Sequence, residues 1–166
     1  ASGDWSNAPL YIGAQLLGAF LGAVLAWLHY LPHWEPTEDS AAKRSCFCTS
    51  PAVRHTPSNL LSEIIGTFVL VFVASVIFSD RWDPAGLPPG FGPLLVGFLV
   101  WGIGLSLGGS TGYAINPARD LGPRIAHAIL PIPGKGDSGW DYAPIPIIGP
   151  VIGAVLGGLA VYAANL

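Results

Sequence analysis

The sequence predicts an all-α membrane protein with four membrane-spanning helices and one shorter helix that enters the membrane without crossing it. Only 10% of the 166 residues are charged, whereas an ordinary soluble domain carries about 25% charged residues. The mean hydropathy is +0.54, and the apolar residues gather in stretches that approach the roughly 20 residues needed to cross a bilayer. The formal net charge of -3 gives no electrostatic argument for nucleic acid binding, so no such partner is expected.

Four apolar stretches form the predicted spans. In chain order they are Leu10–Leu31, Leu60–Ser79, Gly92–Ser110 and Ala143–Leu166. The connections between them hold most of the charge, and they run over His33–Pro57, Asp80–Phe91 and Thr111–Tyr142. Glycine lets two membrane helices approach closely and proline is better tolerated in membrane helices than in soluble ones. The 22 glycines and 16 prolines are therefore compatible with this arrangement.

A fifth helix is predicted inside the third connection, over Pro117–Leu130. Proline suits the first turn of a helix, so this helix begins directly after Asn116. At about 1.5 Å per residue it is roughly 21 Å long, which is too short to cross the hydrocarbon core. A short helix that carries Arg119 near its start indicates a re-entrant segment. Its periodicity fits an amphipathic helix at the membrane surface equally well.

The first and last spans share a sequence pattern that indicates an internal repeat. Gly18 followed by Gly22–Leu25 matches Gly149 followed by Gly153–Leu156 at one constant offset. Duplicated halves are a common way to build membrane proteins. The alternative is that the two helices independently use small residues, because GxxxG is a general packing device.

The repeat predicts how the chain is divided. Residues 1–57 then hold the last helix of a first repeat and its connecting loop, and residues 58–166 hold a second repeat with the re-entrant helix. We expect two further spans and one re-entrant segment upstream of Ala1. The equivalent of Asn116 would lie about 15 residues before Ala1.

The motif Asn116-Pro117-Ala118-Arg119-Asp120, placed between the third and fourth of these spans, resembles the aquaporin superfamily and specifically its glycerol-facilitator branch, the aquaglyceroporins. The resemblance extends through residues 62–67 and 148–150 and covers nearly the whole chain. It implies an aquaporin-like right-handed bundle with four spans and one half-helix present here. It also implies passive conduction of glycerol and water with exclusion of ions and protons, a homotetramer with one pore per subunit, and a place in a lipid bilayer, the plasma membrane of a bacterium.

The residues of the motif make chemical sense in a pore. Asn116 lies at a helix N-terminus, where free backbone N–H groups and the helix dipole provide partial positive charge, and its side-chain amide can donate to a hydroxyl. Arg119 is costly at membrane depth, by about 2.5–3.5 kcal/mol, and should face water or protein. The resemblance implies that Arg119 lines the narrowest constriction. Before the motif, Gly112-Tyr113-Ala114 is expected to be extended, with its carbonyl groups forming a row of acceptors.

Four further positions follow from the resemblance. Gly104 matches the position where water-selective members place a histidine, so a wider constriction is expected there, unless Gly104 is a packing glycine in a helix contact. Asp120 is a feature of the glycerol branch. Tyr113 departs from the usual phenylalanine, which leaves the width of the pore open. Glu63 matches a carboxylate that accepts hydrogen bonds from the re-entrant loop, and an interfacial carboxylate is the alternative.

Other functions find less support in the sequence. Cys46, Cys48, His33 and His55 share one connection, but their spacing does not match the paired ligands of a zinc site, so no metal is expected. No arrangement typical of a catalytic site is present, so we expect neither an enzyme nor a cofactor. Two alternatives to a glycerol channel stay open: a non-conducting structural or assembly subunit, and a water-selective aquaporin.

Overall fold

The structure is a computed structural model that describes residues 5–81 and 85–166. In these ranges the chain forms helices and no β-strand. The helices are α1 (Ala8–His29), α2 (Ser40–Ser45), α3 (Thr56–Ile77), α4 (Phe91–Leu107), α5 (Pro117–Ile129) and α6 (Pro144–Ala163), with a short 3-10 turn over Leu31–His33. The predicted connection Asp80–Phe91 includes residues 82–84, which lie outside the described residues.

The predicted spans are confirmed as helices, with ends that differ from the prediction by a few residues. Among the described residues, α1, α3 and α6 are long and apolar enough to cross a membrane, while α4 is a shorter apolar helix. With 17 residues, α4 lies at the lower limit of the length that spans hydrocarbon. Proline occupies the first turn of α1 and α3 and is the first residue of α5 and α6. Its fixed φ favours helix initiation, which explains why these helices begin where they do.

The described chain forms two compact units. The first unit comprises Ala1–Ser50 and Pro117–Ala143, and in it α1 packs against α5. A side chain at Gly122 of α5 would meet the backbone of α1, with its Cβ 2.9 Å from the carbonyl oxygen of Leu16. The two helices therefore approach closely because residue 122 has no side chain.

The second unit comprises Pro51–Asn116 and Pro144–Leu166, and in it α3 packs against both α4 and α6. Two glycines of α6 lie directly on α3. A Cβ at Gly149 would be 2.6 Å from Cβ of Glu63, and a Cβ at Gly153 would be 2.5 Å from the carbonyl oxygen of Ile64. Small residues again permit the contact between two apolar helices.

The division into 1–57 and 58–166 describes sequence repeats and stays a prediction. The compact units follow contacts instead, such as that of α5 with α1. The matched glycines also differ in their surroundings. Gly149 and Gly153 lie against α3, whereas a Cβ at Gly18 or Gly22 would have no described neighbour within 4 Å. The repeat stays a prediction about sequence.

Candidate functional site

The segment that leads into α5 has an unusual backbone. Gly112, Tyr113 and Ile115 have φ values of 78°, 41° and 44°. The segment is non-helical, as predicted, but the prediction that Gly112-Tyr113-Ala114 is extended is wrong at Gly112 and Tyr113. Positive φ costs a residue with a side chain about 1–3 kcal/mol, so the surroundings must stabilise this conformation. Backbone of this kind turns successive N–H groups towards one point, where they form a concave anion site.

The carboxylate of Glu63 occupies that point. Its Oε1 accepts a hydrogen bond from the backbone N–H of Ala114 at 3.0 Å, and its Oε2 accepts one from the N–H of Ile115 at 2.9 Å. Glu63 is 1% exposed and Ala114 is fully buried. Because both oxygens accept from the loop, Glu63 holds the segment before α5 from a distance of 51 residues along the chain. The expected contact between Glu63 and the loop is present in the structure.

Two glycines make room for this contact. A Cβ at Gly149 would lie 2.6 Å from Cβ of Glu63, so α6 can pack this closely on Glu63 only because residue 149 is glycine. A Cβ at Gly66 would lie 3.0 Å from Cγ2 of Ile115, so the side chain of Ile115 packs on the bare surface of α3. Glu63 is thereby shielded from water, which strengthens its hydrogen bonds to the loop.

Gly104 lies against the ring of Tyr113. A Cβ at Gly104 would be 3.0 Å from Cζ and 3.2 Å from the hydroxyl oxygen of Tyr113. A Cβ at Gly108, the residue directly after α4, would be 2.6 Å from Cδ1 of the same ring. From the sequence, Gly104 was expected either to widen the constriction or to permit a helix contact. In the structure, the space left by its missing side chain lies beside the ring of Tyr113. Gly104 and Tyr113 form one structural pair within the second unit.

The motif residues lie at the start of α5. Asn116 directly precedes Pro117, the first helical residue, as the proline predicts. In the first turn, Ala118 is buried, Arg119 is exposed and Asp120 is fully buried. An amphipathic helix at a membrane surface keeps its charged side chains in water. Because α5 buries Asp120 and Arg124, at 0% and 1% exposure, its burial pattern fits a re-entrant helix instead.

A buried polar network surrounds Arg124, one turn after Asp120. Its Nε donates to Oδ2 of Asp120 at 2.8 Å and its Nη2 to Oδ1 at 2.8 Å. Nη2 also donates to the carbonyl oxygen of Thr49 at 3.0 Å, and Nη1 donates to the carbonyl oxygens of Ser138 and Gly139 at 2.7 and 2.8 Å. An arginine has five N–H donors, and these five bonds use that full capacity. Arg124 is therefore a buried cross-link between α5 and two loops.

Comparison with known proteins gives the site its context. The family model described as "Major intrinsic protein" matches residues 3–162, which is nearly the whole chain. The chain belongs to the major intrinsic protein family.

Two relatives within the family are similar over most of this chain. A protein of Thermotoga maritima named "Probable glycerol uptake facilitator protein" is 62% identical over 153 residues, which cover 92% of this chain and 63% of the relative. The "Glycerol uptake facilitator protein" of Bacillus subtilis is 56% identical over 160 residues, which cover 96% of this chain and 57% of the relative. The chain thus spans about 60% of the length of these relatives.

A protein of known structure has a similar fold. The X-ray structure of the aquaglyceroporin from Plasmodium falciparum matches with a TM-score of 0.79 and 28% identity, covering 95% of this chain and 64% of that chain. The helices and this match confirm the predicted aquaporin-like membrane fold.

The sequence did not predict the role of Arg124 in this member of the major intrinsic protein family. One signal was present, since Asp120 and Arg124 are four residues apart and opposite charges at that spacing face each other on a helix. The partners in the loops gave no such signal. Thr49 is an ordinary loop threonine in sequence, yet its backbone N–H and its hydroxyl both donate to Oδ1 of Asp120, at 2.7 and 2.6 Å.

Among the described residues, no group of three or more histidine, cysteine, aspartate or glutamate side chains is placed to hold a metal ion. Cys48 is 3% exposed, and burial raises the pKa of its thiol from 9.0 to about 11. Cys48 packs with Trp34, Phe47 and Ala126 in the apolar cluster of the first unit. His127, which the sequence gave no functional role, is fully buried and bonds to the hydroxyl of Ser138 at 2.9 Å through Nδ1.

Proposed function

We propose that this protein is a passive transmembrane channel for glycerol and water that excludes ions and protons. The observation that carries the proposal is the contact of Glu63 with the backbone N–H groups of Ala114 and Ile115. It fixes non-helical backbone against the apolar helix α3. Such backbone is tolerated at membrane depth only when it is buried in protein or lines a watery cavity.

Several groups within this segment and directly after it along the chain suit a polyol. The partial positive charge at the start of α5, the amide of Asn116 and the guanidinium of Arg119 are donors for hydroxyl groups. The carbonyl groups of Gly112, Tyr113 and Ala114 are acceptors, and Pro117 and Ala118 begin the helix that presents the donors. A positive helix end together with an arginine also repels cations and protons.

The pair of Gly104 and Tyr113 supports glycerol over water alone. Because residue 104 lacks a side chain, the ring of Tyr113 lies against α4 with its hydroxyl 3.2 Å from where a Cβ would be. A bulkier residue at position 104 would force the ring away from the helix. We infer that this pair provides the apolar wall and the width that a three-carbon solute requires, which disfavours a water-selective pore.

The named relatives support the same proposal, since both carry the description of a glycerol uptake facilitator. We further propose that the protein acts in the plasma membrane of a bacterium as a homotetramer with one pore per subunit. It needs no cofactor for this and performs no chemical reaction. A non-conducting assembly subunit is disfavoured because both named relatives are described as uptake facilitators.

The test is solute flux through the full-length protein, as its gene encodes it, in liposomes. Stopped-flow light scattering measures glycerol and water permeability, with protein-free liposomes as the baseline. We expect glycerol permeability well above that baseline and no proton conductance. Water flux without glycerol flux would point to a water-selective aquaporin, and no flux of either kind in well-assembled protein would point to a structural subunit.

A further inference from the structure

Asp120 is a fully buried carboxylate in the first turn of α5, directly after Arg119. Its Oδ1 accepts three hydrogen bonds, from the N–H of Thr49 at 2.7 Å, the hydroxyl of Thr49 at 2.6 Å and Nη2 of Arg124 at 2.8 Å. Its Oδ2 accepts from Nε of Arg124 at 2.8 Å. The negative charge is thus balanced inside the first unit by a partner on the same helix, and its position is fixed by a residue of the long loop.

Arg124 extends this network to a second loop. Through Nη1 it binds the carbonyl oxygens of Ser138 and Gly139. Gly139 has a φ of 66°, and a Cβ there would be 3.0 Å from Nη1 of Arg124. Only a residue without a side chain allows both the turn and the close approach of the guanidinium. The loop before α6 is therefore shaped around Arg124.

The far end of α5 is held in a similar way. Nζ of Lys135 donates to the carbonyl oxygens of His127, Ala128 and Leu130, each at 2.7 Å. These carbonyl groups belong to the last turn of α5 and the residue after it, where a helix leaves its acceptors unpaired and favours a positive charge. Side chains therefore hold both ends of α5: Thr49 and Arg124 bind Asp120 in its first turn, and Lys135 binds the carbonyl groups at its last turn.

We propose that Thr49, Asp120 and Arg124 form a positioning clamp that sets the first turn of α5, and with it Arg119, and thereby determines how strongly the channel favours glycerol over water. The inference rests on the proposed function. Arg119 is the residue before Asp120, so any shift of the backbone at the clamped residue is passed to Arg119. Binding groups work only when they are held within about 0.5 Å of their productive place, which requires supporting residues around them.

The two solutes differ in their sensitivity to such a shift. Glycerol must satisfy several hydroxyl groups at once against donors and acceptors in fixed places. A water molecule is smaller and can reorient to use whichever partner is available. Loosening the clamp therefore lowers glycerol permeability more than water permeability, whereas general damage to the fold lowers both together.

The hydroxyl of Thr49 is the part of the clamp that can be removed most cleanly. Thr49→Val keeps the volume and the backbone N–H that binds Asp120 but removes the donor at 2.6 Å. Thr49→Ser keeps that donor. Thr67→Val is a matched control, because Thr67 is 3% exposed and its hydroxyl donates only within its own helix, to the carbonyl oxygen of Glu63 at 2.9 Å. Thr49→Ala provides a second hydroxyl-free variant if Thr49→Val assembles poorly.

The experiment measures glycerol and water permeability of the full-length variants in liposomes, each normalised to assembled protein. In Thr49→Val and Thr49→Ala we expect the ratio of glycerol to water permeability to fall by about threefold or more, because the lost hydrogen bond acts on Arg119 only through Asp120 and passes on part of its effect. Thr49→Ser and Thr67→Val should keep the ratio of the unsubstituted protein.

An unchanged ratio in both hydroxyl-free variants would overturn the clamp while leaving the proposed channel intact. The clamp would also be wrong if Thr49→Ser lost selectivity as far as Thr49→Val, because the hydroxyl would then be irrelevant. If the unsubstituted protein carried no glycerol at all, the proposed function itself would fail, and the inference with it.

Discussion

Glu63→Gln tests the contact on which the candidate site depends. In the structure each carboxylate oxygen of Glu63 accepts one backbone N–H, from Ala114 and from Ile115. A glutamine of almost the same size keeps one acceptor oxygen but turns an NH₂ group towards the other N–H. One of the two N–H groups then loses its partner in a place that water does not reach, since Glu63 is 1% exposed.

The magnitude follows from the type of bond that is lost. A hydrogen bond to a charged group contributes about 1.5–3 kcal/mol, and a buried donor left unpaired costs about 1–3 kcal/mol. These figures describe the same lost interaction, so the expected destabilisation is about 2–3 kcal/mol. At about 1.4 kcal/mol per factor of ten, this corresponds to roughly a 30- to 140-fold change in the equilibrium between the ordered segment and its alternatives.

Two measurements together check this estimate in the full-length protein. Denaturant titration gives the free energy of unfolding, and stopped-flow scattering gives glycerol permeability per assembled channel. We expect both to fall for Glu63→Gln, with Glu38→Gln as a control because Glu38 is exposed in a loop. If Glu63→Gln matched the unsubstituted protein in both stability and flux, the carboxylate would not be what holds the segment before α5.

Three other substitutions give independent tests. Gly153→Ala should destabilise the protein by about 1–3 kcal/mol through overpacking, because its Cβ would lie 2.5 Å from a carbonyl oxygen of α3. The control Gly158→Ala lies on the same helix with no neighbour within 4 Å and should stabilise the protein slightly. Equal effects of the two substitutions in denaturant titrations would contradict the packing of α6 on α3. Arg119→Ala should admit protons or small cations while keeping the fold, so an unchanged proton leak in liposomes would count against its role in the barrier. Gly104→His should displace the ring of Tyr113 and reduce glycerol flux more than water flux; equal losses in well-assembled channels would show that Gly104 does not set selectivity.

Much of the fold was predictable because it depends on local features. Apolar stretches of the right length predict spanning helices whatever they pack against, and proline in the first turn marks where a helix starts. Pro117 was enough to predict where α5 begins, and the short length of the predicted helix excluded a full crossing of the membrane. The motif around Asn116 was also local, and it indicated the family that the comparison with known proteins then confirmed.

The tertiary structure alone decided which residues meet. Nothing in the sequence placed the hydroxyl of Thr49 on Asp120, which is 71 residues away, or the guanidinium of Arg124 on the carbonyl groups of two loops. Such contacts depend on the angles at which helices cross and on the paths of the loops. The distance between two residues along the sequence indicates neither. The backbone before α5 shows the same limit. An extended segment was predicted there. In the structure, the N–H groups of Ala114 and Ile115 both donate to the buried carboxylate of Glu63, and this arrangement goes with positive φ at Tyr113 and Ile115.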